Sequence, residues 1–353
     1  MPKKAASRLR NEAAEGTVLV QSLLHQTVSS LKSPASLMQA DLWLSMACGG
    51  LTVCKNPAVS TASGSRSEFE RVRQEIRNEG HSRTSMQWDD RVPLGALSDT
   101  IDRLQTSGYP PVFILMYDQA WALCEQLFDA MEVIMGSDVT LDTSLFAWAL
   151  QRQQRQQVEA TGGRSKAVVK VSSDQLVGNN FGTPHRDSRY SECHSADGTP
   201  TEISCWVPLV DVTTDNGCMM LVPAQHDALF AQSDHPLHMK PAESMPWAHI
   251  RSLPAHAGEV LLWQANTIHW GSSCGERAEV PRKSIAMAFT VPRDGKPVES
   301  GSIRRADLQA GLSLAQRVKL VAKSLLTYEH WHPSFDGFAP SVVEECLSSM
   351  SFR

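Results

Sequence analysis

The sequence predicts a mainly β protein with flanking helices, its strands closed into a sandwich or barrel. Three observations carry this. From residue 166 to 293, short apolar runs alternate with turn signals at Gly198, Asp215-Asn216-Gly217, Gly258 and Gly271–Gly275. No αβ alternation of the kind a parallel sheet needs occurs there. Helical periodicity is confined to the stretches on either side.

In chain order, the first hundred residues read as helical. Leu19, Leu23, Leu24 and Val28 form a short apolar stripe, and Leu37 to Met46 continue it. Residues 56–66 are small and polar, a connector. Ser67 and Glu70 make an S-x-x-E capping box, opening a helix with Phe69, Val72 and Ile76 on one face. A second helix, Ala96 to Ser107, buries Leu97, Ile101 and Leu104 and stops at Gly108. Two domains are expected: an N-terminal helical region, 1–95, and a β domain with flanking helices, 96–353.

The run VFILMY at 112–117, after two prolines, reads as a buried strand, and Asp118 as the cap of a helix carrying Trp121, Cys124, Phe128 and Met131. Leu145–Leu150 is a further apolar segment, followed by a polar stretch, 151–166, read as a loop or lid edge. The expected strands are Ala167–Val171, Glu202–Leu209, Cys218–Val222, Glu259–Trp263 and Lys283–Val291. Helix returns with Leu314, Val318, Val321 and Leu325, before an aromatic tail.

Composition narrows the function. The chain of 353 residues is 42% hydrophobic and 20% charged, as in soluble globular proteins. A net charge of −5 gives no general attraction to nucleic acid or anionic lipid. No apolar run is long enough to span a membrane. The eight cysteines form no CxxC pair, which speaks against a zinc ribbon or a disulfide framework. A reduced, cytoplasmic protein is expected, with an organelle transit peptide as the lesser reading of the basic N-terminus.

The chemistry-bearing motif is TPHRDSRY, with His185 and Asp187 two residues apart. In a strand these side chains share a face, so imidazole and carboxylate can converge on one ion. With 12 histidines in the chain, about one chance His-x-Asp is expected, so the motif alone decides little. His269, in NTIHWGS, would complete a two-histidine, one-carboxylate face that leaves metal positions open, as non-haem Fe(II) oxygenases require. Beyond it, Arg282 and Ser284 open a strand and share a face, a guanidinium and a hydroxyl suited to the distal carboxylate of a dicarboxylate. Arg186, Asn180, Tyr190 and Trp263 lie near these residues and are read as pocket wall or as structure; Trp206 and Met219–Met220 are read as core.

The blocks PHRD (184–187), WVPLVDVTTDNGCMMLVPAQHD (206–227), and AGEVLLWQANTIHWGS with PRKSIAMAF (257–289) resemble the phytanoyl-CoA dioxygenase (PhyH) family. Ala224-Gln225 stands where that family usually has Gly-Ser, and the first hundred residues lie outside the resemblance. The resemblance implies a double-stranded β-helix (jelly-roll, cupin-like) core. It implies His185, Asp187 and His269 as Fe(II) ligands, and Arg282 with Ser284 as the 2-oxoglutarate anchor. O2 and a small organic molecule or acyl thioester would be the substrates. Related halogenases replace the carboxylate ligand with a small residue; Asp187 is retained, which implies hydroxylation. Two other readings stand beside it: a cupin-like metalloenzyme that uses no 2-oxoglutarate, and a non-catalytic binding module of the same fold.

Overall fold

A computed structural model describes residues 65–106, 109–150, 183–291 and 302–328. The elements run α1 (Arg66–Glu79), β1 (His81–Ser85), α2 (Leu94–Thr106), a 3-10 helix (Pro111–Met116), α3 (Asp118–Met135), β2 (Thr140–Leu141) and β3 (Phe146–Ala149). After them come the short α4 (Tyr190–Cys193), β4 (Glu202–Pro208), β5 (Met219–Leu221), β6 (Arg251–Leu253) and β7 (Glu259–Gln264). The series ends with β8 (His269–Gly271), β9 (Lys283–Thr290), α5 (Arg305–Ala310) and α6 (Leu314–Thr327).

The strands form two antiparallel sheets flanked by helices, as expected of a mainly β fold. The larger has the order β1-β7-β4-β9-β2, with β3 also paired to β9; the smaller is β6-β5-β8. Strand β9 shows how the period-2 pattern sorts side chains between faces. Ile285, Met287 and Phe289 belong to the main core, where Phe289 meets Phe128 of α3 edge-on at 5.0 Å. Ser284, Ala286 and Ala288 line a cavity on the other face. The cysteines at 124, 205 and 218 are buried, as small hydrophobes. Cys205 lies 3.5 Å from the Met131 sulfur and Cys124 3.8 Å from that of Met287, so α3 is packed tightly onto the sheet.

Several local expectations are corrected. The run VFILMY is not a strand: Pro111–Met116 is a 3-10 helix with proline at its start. A six-residue apolar run has no period that separates the two, and the double proline pre-sets a helical first turn. The cap of α1 is Ser65, whose hydroxyl accepts from Glu68 N at 3.2 Å, in place of Ser67. Asp118 lies within the first turn of α3 without capping it, and pairs with Arg317.

Strand β1 was not foreseen. Gly80, at φ +79, ends α1 and turns the chain directly into β1, which pairs along β7 from His81 opposite Trp263 to Ser85 opposite Glu259. Gln264 donates to Ile76 O at 2.7 Å and Thr267 to Gly80 O at 3.0 Å, tying this segment to the loop that leads to His269. Residues 1–64, Gly108, the 151–166 stretch, the expected strand Ala167–Val171, Asn180 and the tail after Tyr328 lie outside the described residues. Among the described residues no helix is long and apolar enough to cross a membrane.

Candidate metal centre

His185 and His269 face each other across an isolated antiparallel bridge, His185 N to His269 O at 3.1 Å and the reverse at 3.0 Å. The expectation that His185 and Asp187 share one strand is corrected here. The chain bends after His185, and the amides of Asp187 and Ser188 both donate to Ala265 O, at 2.8 and 3.0 Å. The bend, fixed by one carbonyl, delivers the carboxylate to the imidazoles.

The orientation of both rings follows from backbone bonds. Nδ1 of His185 lies 2.9 Å from Thr183 O, and Nδ1 of His269 lies 3.0 Å from Thr267 O. A carbonyl can only accept, so both Nδ1 atoms carry the hydrogen and both Nε2 atoms are left as lone-pair donors. Those Nε2 atoms lie 3.7 Å and 3.6 Å from Oδ1 of Asp187, and one donor atom from each residue falls within 4.8 Å of the others. Oδ2 of Asp187 accepts from the Ser204 hydroxyl at 2.8 Å, which turns Oδ1 toward the histidines. Burial holds the His269 imidazole down to about 4, so it is neutral and ready to ligate at ordinary pH. Two imidazoles and a carboxylate on one side of a cavity suit a divalent transition metal with open positions. Backbone and hydroxyl partners orienting every ligand are what such sites need.

Arg186, between the ligands, points the other way. Its fully buried side chain pairs with Asp227 at 2.6 Å and donates to His238 O and Asn266 O at 2.7 and 2.6 Å. It therefore pins the ligand-bearing bend to the 227–238 loop and to the residue after Ala265. Tyr190 stacks on His194 at 3.8 Å, a packing role. Trp263 lines the cavity, its ring 4.7 Å from that of His269, and Trp206 and Met219, expected as core alone, are buried and line it as well.

A cavity of about 450 Å³ joins the three candidate ligands to Arg282 and Ser284. Arg282 is 1% exposed, donates to Gly217 O, and lies with its guanidinium 5.8 Å from the Trp206 ring. Nε has no partner among the described residues, and no carboxylate offsets the charge. Burial pulls its pKa down to about 10, so it stays a cation at neutral pH. A buried, uncompensated guanidinium is costly unless an anion completes it. Lys283, next to it, points to the opposite face and pairs with Asp102 of α2, as strand alternation requires.

Two glycines make room for Arg282. A Cβ on Gly271 would stand 2.7 and 2.9 Å from its terminal nitrogens. Gly217, at φ +99, could carry none without meeting Ser272 O at 2.7 Å, and its carbonyl accepts from the guanidinium. Asn216 of the same turn donates to Val280 O at 3.1 Å, linking the turn to the segment that enters β9. Sequence reasoning missed Ser204 and Gly271. The signals were a polar side chain on the cavity face of an apolar strand and a glycine two residues after a ligand.

The fold and this geometry define the class of site: two histidines and one carboxylate on antiparallel sheets, a group that could hold a metal ion. Residues 150–274 match the family model for phytanoyl-CoA dioxygenase (PhyH), which bears out the resemblance read from the sequence. The matched segment contains His185, Asp187 and His269, while Arg282 and Ser284 lie beyond its end. Similar solved structures are distant. The epimerase SnoN, in complex with Fe3+, alpha ketoglutarate and nogalamycin RO, is 17% identical over 67% of this chain and 95% of its own, with a TM-score of 0.40. EctD from S. alaskensis, with 2-oxoglutarate and 5-hydroxyectoine, is 13% identical over 63% of this chain and 75% of its own, with a TM-score of 0.41. The non-heme monooxygenase ThoJ is 12% identical over 72% of this chain and 99% of its own, with a TM-score of 0.43. Comparison with curated proteins gives no match.

Proposed function

We propose that the protein is an Fe(II)- and 2-oxoglutarate-dependent dioxygenase that hydroxylates a small organic molecule, and that its two sheets are the halves of a double-stranded β-helix. The observation that carries this reading is Arg282: a buried cation with no carboxylate partner among the described residues, in one cavity with three convergent candidate metal ligands. A metal site alone would not need it. A dicarboxylate that chelates the metal at one end and needs its other end neutralised accounts for both.

His185, Asp187 and His269 would hold the iron, with Thr183 O, Thr267 O and Ser204 fixing their orientation. Arg282 would take the distal carboxylate of 2-oxoglutarate, and Ser284, 1% exposed on the same cavity wall, would add a hydroxyl donor. Iron with 2-oxoglutarate and O2 supplies the oxidising power that breaks an unactivated C–H bond as the co-substrate is decarboxylated to succinate. The chain's own share is orientation and dryness: Trp206, Trp263 and Phe146 wall the cavity with apolar surface.

Arg282→Ala tests the reading. The concentration of 2-oxoglutarate needed for half-maximal turnover should rise on the order of a hundredfold while Fe(II) affinity is kept. Unchanged 2-oxoglutarate dependence would point instead to a metalloenzyme that uses the same ligands without this co-substrate.

A further inference from the structure

The cavity also limits what the substrate can be; this step rests on the function proposed above. Its floor is a row across the larger sheet. Trp263 pairs with Ser204, Ser204 with Ala288, and the amide of Asp142 donates to Ala288 O at 2.9 Å. Ser204 holds Asp187, so the metal end of the row is fixed. Asp142 lies two strands further on, roughly 10 Å from Ser204 at the usual strand spacing. Between them the floor is Ala288, with Ala286 beside it.

The charges in this space are unevenly committed. Among the described lining residues the cations are Arg186, taken by Asp227, and Arg282, assigned to the co-substrate. The carboxylates are Asp187, assigned to the metal, Glu202, which accepts from Ser188 at 2.9 Å, and Asp142. Asp142 accepts from Ser144 N through Oδ1 at 2.5 Å, a turn that fixes the carboxylate without neutralising it. Among the described residues no cation pairs with it. The ring of Tyr328, 4.2 Å from that of Phe146, lines the same cavity. Burial, then the negative charges of Asp187 and Asp142, keep its phenol protonated, which puts Tyr328 in the field of both carboxylates. An anion entering here would meet the carboxylate of Asp142, which no cation offsets among the described residues. A cation would meet Asp142 and aromatic faces, a favourable pairing away from water.

We propose that the substrate is an organic cation, an amine carried as its ammonium form, held with its charge on Asp142 and its carbon body over Ala288 toward the metal ligands.

The test uses benzylamine and its neutral isostere benzyl alcohol as probes, titrated into the metal-free protein. Trp148, Trp206 and Trp263 line the cavity, so their fluorescence reports occupancy. Benzylamine should bind about tenfold more tightly than the alcohol, and the preference should vanish in Asp142→Asn and return in Asp142→Glu. No preference in the wild type, including no binding of either probe, would overturn the proposal, as would a preference that survives Asp142→Asn. Succinate formation from 2-oxoglutarate, measured in parallel, separates the two claims. Succinate without amine preference sinks this inference alone; amine preference without succinate sinks the proposed function alone.

Discussion

Ser204 donates a 2.8 Å hydrogen bond to Oδ2 of Asp187, and the other carboxylate oxygen lies 3.6 Å and 3.7 Å from Nε2 of His269 and His185. One hydroxyl on β4 thus sets the orientation of the single carboxylate among the candidate ligands. Ser204→Ala should weaken Fe(II) binding about tenfold, within the range lost when a ligand's orienting partner is removed. Calorimetric titration under anaerobic conditions reads this directly. An unchanged affinity would mean that the bend at Arg186–Ser188 orients Asp187 without help.

Gly271 leaves the space that Arg282 fills. Gly271→Ala would place a methyl group 2.7 Å from a guanidinium nitrogen, and the long side chain must move. Affinity for 2-oxoglutarate should fall on the order of tenfold to a hundredfold. Arg282→Lys should do the same for a different reason, since an ammonium cannot reproduce the two-pronged contact. Equilibrium binding of 2-oxoglutarate to the Fe(II)-loaded variants tests both.

The Arg186–Asp227 pair is buried and braces the ligand bend from behind. Asp227→Ala leaves a buried guanidinium without its counter-charge, and should cost about 3–5 kcal/mol of stability. Urea denaturation measures this. A loss below 1 kcal/mol would show that Asn266 O and His238 O suffice to hold Arg186.

Burial lowers the His269 pKa from 6.5 to about 4. Between those values the unfolded chain binds a proton at this position and the folded chain does not. The metal-free protein should therefore lose stability as pH falls from about 6.5 toward about 4, and be unaffected by His269 above that window. Thermal melts across this range, compared with His269→Gln, isolate the contribution; the variant's curve should be flatter.

Much of this was legible because the site is built on period-2 strands. The alternation Arg282, Lys283, Ser284 sends one charge to the cavity and the other to Asp102, as a strand reading requires. His269, preceded by an apolar strand and a turn, had a context the other histidines lack. What escaped were features decided by tertiary contact. The run at 112–117 has no period that separates strand from 3-10 helix. Strand β1 has the sequence HSRTS, whose polarity hides an edge strand paired through its backbone. Asp187 reaches the histidines by a bend held on Ala265 O, a contact nearly eighty residues away in sequence that no local pattern encodes.

In the proposed function His185, Asp187 and His269 hold one iron to which 2-oxoglutarate also binds. The most direct measurement is anaerobic co-binding of Fe(II) and 2-oxoglutarate, followed by succinate release on admitting O2, in wild type, His185→Ala and Asp187→Ala. Joint binding and succinate formation are expected in the wild type, and the loss of both in each variant. Succinate formation at the wild-type rate by both variants would contradict it.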